Sequence, residues 1–389
     1  MPDNADTNIG SRLRAVRKRR GLGQRDLAKA SGVSLSLIRQ LEQGTVQDTR
    51  LETAHKLAGA LRTTTSQLLK RDDEPDQVTE PWRPLQQAVE GPATQPDEEP
   101  TLDGIGAAMT DVRRAYFDHH IADLSNLLPA LLRDADALGS DPEARSIRAH
   151  LLQIAGSTLT QGRQFSAAET ALSRALDDAP DRLRAASIVT TWAWLLVRQG
   201  RVDESRELAL RWADDLEPRM SRATPEDLAA WGWLLLQASA ASLRDNRSGE
   251  GGDVLRLARS AAVLTGRELP RGDIRLATWG PVTVACKQAE RDIIQDRPDA
   301  VLKVAKQLEM SGAKASTEYH RHRLDVAKAH AMMRQYDDAV EVLSDVRERV
   351  PEWLAQQRYA QDIMTTVIER RRTLTSEMRS LADAVGLPA

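Results

Sequence analysis

A small residue returns at a long, regular interval through most of this chain. The strings AGSTL (155–159), WAWLL (192–196), WGWLL (231–235), WGPVT (279–283) and VAKAH (326–330) each carry it in second place. These residues are Gly156, Ala193, Gly232, Gly280 and Ala327, separated by 37, 39, 48 and 47 positions. Around them, glycine and proline fall between amphipathic segments, and period-two alternation of β-branched residues is scarce. A small residue on the inner face of a helix lets a second helix approach closely. One such helix pair cannot bury its own apolar face, but stacked pairs bury each other's. The fold is therefore expected to be all-α. QGR recurs at 161–163 and 199–201, where hairpin turns are expected.

The best-formed repeats carry a familiar spacing. Leu152, Ala155, Gly156, Leu159, Ala168, Leu172, Ala175 and Pro180 resemble a tetratricopeptide repeat, as do Ala327, Tyr336, Ala339, Leu343, Val346 and Pro351. The intervals exceed the ~34 residues of that repeat, so helices or turns must be longer. Residues 113–138 read as an earlier, degenerate pair, and RRRTLTSEMRSLADAVGL as a closing cap. Residues 105–389 thus resemble a tetratricopeptide-like, right-handed helical solenoid of roughly five or six helix pairs.

The first part of the chain differs in charge. Residues 9–71 hold 14 Lys/Arg and 4 Asp/Glu, a net +10, whereas residues 72–104 hold 10 Asp/Glu and one Arg, a net −9. A compact basic module of this kind suits a polyanion. Its sequence divides into five short helices. Gly21 ends the first, Gly23 is a tolerable N-cap for QRDLAKAS, and Gly32 supplies the positive φ of a sharp turn. Ser34 caps SLSLIRQLEQ, and Leu51, Ala54, Leu57, Ala58 and Leu61 mark a fourth helix at helical spacing. SQLL closes the module.

Two short helices joined by a glycine-containing turn are the helix-turn-helix pattern. The run LRAVRKRRGLGQRDLAKASGVSLSLIRQLEQG resembles the Xre/Cro-like repressors, through Arg17, Gln24, Leu27-Ala28, Gly32-Val33-Ser34, Ile38 and Leu41-Glu42-Gln43-Gly44. Gly23 departs from the usual Ser or Thr cap. The resemblance implies an ion pair between Arg17 and Glu42. It also implies DNA contacts from Gln24, Ser34, Leu35, Ser36, Arg39, Gln40 and Gln43. On the third helix Ile38 and Leu41 face inward, so Leu35, Ser36, Arg39 and Gln40 are left for the major groove. Gln40 can pair with adenine, Ser36 with either kind of base, and Leu35 can meet a thymine methyl. Arg39 can reach guanine or a phosphate. Gln24, at a helix N-terminus, is placed for a phosphate.

Between these parts, residues 72–104 form an acidic, proline-rich linker. Such a composition buries too little surface to offset ordering and is expected to be flexible. WRPLQQAV, around Trp82, is expected to form a short docking helix. The whole layout resembles actinobacterial Xre/Cro-like helix-turn-helix transcriptional regulators with a C-terminal tetratricopeptide-like domain. Its pairing of the two folds is also similar to that of peptide-sensing quorum regulators.

The stretch TWGPVTV (278–284) is the anomaly. Aligned on the repeats, it falls inside a helix, where proline costs ~3 kcal/mol. Pro281 would then free the carbonyl of Ala277 toward a concave surface. Trp194, Trp233, Trp279, Pro281 and Thr283 are accordingly the expected ligand-binding residues; a structural kink with core tryptophans is the plainer alternative.

No nucleotide-loop, zincin or nucleophile-elbow motif occurs. Asp118-His119-His120 sits at a hairpin, and His320 and His322 are spaced to point apart on a helix, so neither suggests a metal. Cys286 is the single cysteine and reads as a packed thiol. No apolar run approaches the ~18–20 residues of a membrane span. The expectation is a cytoplasmic, non-enzymatic transcriptional regulator with no cofactor. It would bind a near-palindromic double-stranded operator as a homodimer and sense a small-molecule or peptide effector. The alternative is a DNA-localised protein-interaction scaffold.

Overall fold

A computed structural model describes residues 9–46, 49–69, 82–91, 99–273, 275–310, 316–371 and 373–387. Residues 70–81 and 92–98, which include about half of the acidic linker, lie outside the described residues. Among the described residues the chain is all helix, apart from one isolated β-bridge between Leu269 and Trp279.

The head comprises α1 (Ile9–Arg19), α2 (Gln24–Ser31), α3 (Leu35–Glu42), α4 (Leu51–Ala60) and α5 (Thr65–Leu69). Its core is Leu13, Leu27, Ile38, Leu41, Leu57, Leu61 and Leu68, all fully buried. The local signals work as the sequence suggests. Gly32 ends α2 at φ 69°, and the Ser34 hydroxyl accepts from the Leu37 N–H at 3.2 Å to start α3. At Gly23, which has no capping oxygen, Asp26 accepts the Gly23 N–H at 2.9 Å instead. Arg17 and Glu42 form the expected ion pair in bidentate geometry, at 2.6 and 2.7 Å. Burial pushes Glu42 up, but the bonds from Arg17 and Gln24 outweigh it and hold the carboxyl below its usual range.

The stretch around Trp82 becomes α6 (Arg83–Glu90), which packs Leu85 and Val89 into the start of the array. Trp82 lies flat on Gly162, where an added Cβ would come within 2.5 Å of the ring. The array itself is a series of helix hairpins. They are α7 (Leu102–Phe117) with α8 (Ile121–Ala137), α9 (Pro142–Gln161) with α10 (Phe165–Asp177), and α11 (Arg182–Gln199) with α12 (Val202–Leu216). Then come α13 (Pro225–Arg244) with α14 (Ser248–Thr265), α15 (Pro281–Ile294) with α16 (Pro298–Met310), and α17 (Thr317–Met332) with α18 (Tyr336–Arg349). The short α19 (Pro351–Ala355) leads to α20 (Arg358–Arg370) and α21 (Ser376–Ala384), which close the stack.

One device makes every hairpin. His119, Arg163, Gly200, Asn246, Asp296 and Arg334 all have positive φ, one per pair, each two positions before the first residue of the second helix. The next residue in each case, from His120 to Gln335, donates its N–H to the carbonyl five residues back, at 2.8–2.9 Å. This closes the orphan carbonyls of the first helix, as in a Schellman turn. The two QGR strings do lie at turns, but one step out of register. Arg163 is the left-handed residue in the first and Gly200 in the second, because α9 is followed by one more loop residue than α11.

Gly156 also acts as expected, whereas Gly232 faces Trp279, ahead of the next pair, rather than its own partner helix. A Cβ on Gly156 would sit 2.6 Å from Leu172 of the paired helix. TWGPVTV, however, is no interrupted helix. It is the start of α15, with Gly280 as N-cap at φ 151° and Pro281 as first helical residue. Proline is favoured there, because its missing N–H has no partner in any helix. The Ala277 carbonyl is not left free: it accepts from Arg275 Nε at 3.0 Å.

Candidate DNA-reading face and central cavity

On α3, Ser36, Arg39 and Gln40 are exposed together with the flanking Ser34 and Gln43, and Leu35 is half-buried beside them. Ile38 and Leu41 anchor the opposite side in the core. The head presents this face to solvent while its other side is docked on the array. Gln24 is placed differently from a free phosphate contact: its amide donates to Glu42 Oε2 at 2.8 Å.

Docking runs through the turn between α13 and α14. The Arg244 carbonyl accepts from the Thr65 hydroxyl at 2.5 Å and from His55 Nδ1 at 2.9 Å. Asp245 accepts from both the N–H and the hydroxyl of Ser66. Asn246 Nδ2 donates to the His55 carbonyl at 3.3 Å and to Thr65 Oγ1 at 3.1 Å. Further along α4, Arg50 pairs with Asp362 of α20, and Glu52 with Lys328 of α17 at 3.7 Å. A carbonyl can only accept, so His55 donates from Nδ1 in this bond; burial pushes its pKa down. The sequence reading missed this latch. Its one local clue is Asp-Asn at a turn followed by a helix, two residues that bond backbone groups as readily as they turn.

Beneath the head lies a cavity of about 700 Å³. Its walls are α4 on one side and the inner faces of α11, α13, α15, α17 and α20 on the other. Trp194 and Trp233 line it. Trp233 is fixed by its indole N–H, which donates to the Thr278 carbonyl at 2.8 Å. Glu290 is held by Arg244 and by Lys287 Nζ at 2.8 Å. Burial pushes Glu290 up, but those cations overcome it and keep the carboxyl well below its usual range. Asp325 goes the other way, raised by burial and by the Glu290 charge.

Trp279, Pro281 and Thr283 do not line this cavity. Trp279 is fully buried, lies against Gly232 and donates from its indole N–H to Thr265 Oγ1 at 3.0 Å. Pro281 is exposed at the helix start. Thr283 donates its N–H and its hydroxyl to Glu268 at 3.1 and 2.5 Å. Glu268 also takes the Val282 N–H at 2.9 Å, so it caps α15 from outside the helix. These three residues build a helix terminus rather than a ligand surface.

Among the described residues, no group of three His, Cys, Asp or Glu side chains is placed to hold a metal ion, and no helix is long and apolar enough to cross a membrane. His119 instead serves as a turn residue, packed near His320 and Trp353 with ring centroids 5.9 and 5.8 Å away.

Residues 13–68 match the helix-turn-helix family. The match spans α1 from Leu13 through α5 as far as Leu68, and so contains the exposed face of α3. No curated protein matches the chain in sequence. Among solved structures, the chain is similar to the crystal structure of Bacillus thuringiensis PlcR in complex with the peptide PapR7 and DNA. The TM-score is 0.38 at 13% identity, over 78% of this chain and 96% of that one.

Proposed function

We propose that this chain is a sequence-specific DNA-binding transcriptional regulator whose helical array senses an effector in the central cavity. Its helix-turn-helix supplies the DNA-binding element. The observation that carries the sensing reading is the shared wall: α4 of the head and the inner faces of the array enclose the same space. A ligand there touches both parts and so has different affinities for docked and undocked heads, which is what control requires. The latch suits this role in magnitude. Each of its hydrogen bonds is worth ~1 kcal/mol net, and a micromolar ligand supplies ~8 kcal/mol of binding energy.

We further propose a homodimer through the array. Leu257, Val263 and Leu264 of α14 are 49, 68 and 57% exposed, and Leu257 and Leu264, seven apart, share one face of the helix. Two heads so joined would read half-sites about 34 Å apart on a near-palindromic operator. Footprinting the full-length protein on its own upstream region at two salt concentrations tests the reading. Two protected half-sites one helical turn apart, weakening steeply with salt, are expected. A single salt-insensitive footprint, or none on any DNA, would overturn it.

A further inference from the structure

We propose that the cavity takes a small ligand with an anionic group, carboxylate or phosphate, set among Arg198, Arg321 and Arg358 beside the ring of Trp194. This rests on the reading of the cavity as the effector site and adds the chemistry of the effector.

The three guanidiniums come from α11, α17 and the first residue of α20, and all line the cavity. Among the described residues none has an acid within ion-pair distance. Arg198 lies over the Trp194 ring at 5.9 Å. Arg321 reaches the Gln357 amide oxygen at 3.4 Å. Other cations of the cavity are paired with acids: Arg50 has Asp362, Lys56 and Lys328 share Glu52, and Arg244 and Lys287 share Glu290, while Arg163 lies over the Phe165 ring. Asp325 faces the same space but is pushed toward its neutral form by burial and by Glu290, so it offers little countercharge.

Arg198 and Arg321 are half-buried and Arg358 is exposed, and like charges gathered around one cavity without acid partners call for an anion. Burial, then Arg321, Arg163 and Arg358, pull the Arg198 pKa down to about 9. Guanidiniums match carboxylate and phosphate oxygens with paired donors, and they do so most strongly where water is excluded. Trp194 and Trp233 add flat apolar surface beside the charge. The site therefore fits a compact anion with a planar apolar body.

The test uses full-length protein and two fluorescent probes of similar shape, anilinonaphthalene sulfonate and its uncharged analogue N-phenylnaphthylamine, read by energy transfer from tryptophan. The anion is expected to bind at least about tenfold tighter than the neutral probe. R198Q and R358Q should each remove about tenfold of that affinity, leave the neutral probe unchanged, and R198K should restore most of it. Thermal melts of each variant separate loss of the site from loss of the fold. Inorganic pyrophosphate and benzoate then compete against the bound anion. Displacement by the first marks a phosphate ligand, by the second a carboxylate; displacement by neither overturns the proposal. Equal binding of both probes, or R198Q and R358Q variants that bind the anion like the parent, overturns the anion site and leaves the cavity as an apolar effector site. Binding of neither probe overturns both.

Discussion

Asp245 Oδ1 accepts both the backbone N–H and the hydroxyl of Ser66, at 3.0 and 2.8 Å, across 179 positions of sequence. The carboxylate is fully buried where the head meets the array, so it fastens the two parts at one point. Asp245→Ala takes the acceptor from the Ser66 N–H and leaves the half-buried Ser66 hydroxyl with Thr64 Oγ1, at 3.2 Å, at a cost of ~1–3 kcal/mol. The expected result is ten- to hundredfold faster hydrogen exchange in α5, with α13 unaffected. Unchanged α5 exchange would show that the bond does not hold the head.

Gly232 and Trp279 make the tightest fit in the array. A Cβ at 232 would lie 1.9 Å from the indole ring, and that ring is fully enclosed. Gly232→Ala should destabilise the protein by ~1–3 kcal/mol through overpacking. Trp279→Phe, itself costly, should make the same alanine nearly neutral. A denaturant double-mutant cycle checks this, and additive effects would mean that the two residues do not compete for the space.

Acid should weaken the fold through its buried histidines. Burial first, then neighbouring cations, depresses His119 and His322 to about 4. In the unfolded chain both take a proton near pH 6.5, but in the fold they stay neutral. Stability is therefore level above pH 6.5 and falls as pH drops from there toward 4. The loss is at most on the order of 3 kcal/mol per ring, because a tenfold change in proton affinity is worth ~1.4 kcal/mol. His322→Gln should flatten the fall; melts between pH 7 and 4.5 that keep their slope in the variant would assign it elsewhere.

Base reading should divide within α3. Ser36→Ala and Gln40→Ala are expected to lose ~1–3 kcal/mol of discrimination at single operator positions. Should Arg39 serve phosphate rather than guanine, Arg39→Ala will weaken all sequences alike and reduce the salt slope by about one. Binding titrations on operator variants at several salt concentrations separate the two outcomes.

The head was legible because its signals are local. Gly32, Ser34 and the Ile38/Leu41 spacing each dictate their own stretch of backbone, and Arg17 and Glu42 are tied to that frame. Gly156 was legible for a similar reason, since its neighbour Leu172 belongs to the same hairpin. TWGPVTV misled because WGPVT resembles WGWLL in composition. Gly-Pro before an apolar run is also a helix start, and the cap that settles the matter, Glu268, lies at the far end of a loop. Of the latch, the sequence carries only the Asp245-Asn246 clue at the turn. Nothing near Ser66 or His55 in sequence announces a partner in the 244–246 turn, which is brought there only by the winding of the whole array.

The shared wall of the cavity has a reciprocal side. If filling the cavity changes how firmly the head sits, then holding the head on DNA must change cavity affinity by the same factor. On the proposed function, the operator would itself act as an effector of the cavity. An effector titration run with and without operator would give two curves displaced by the coupling, and the protein's threshold for its signal would depend on how much of it is already on DNA.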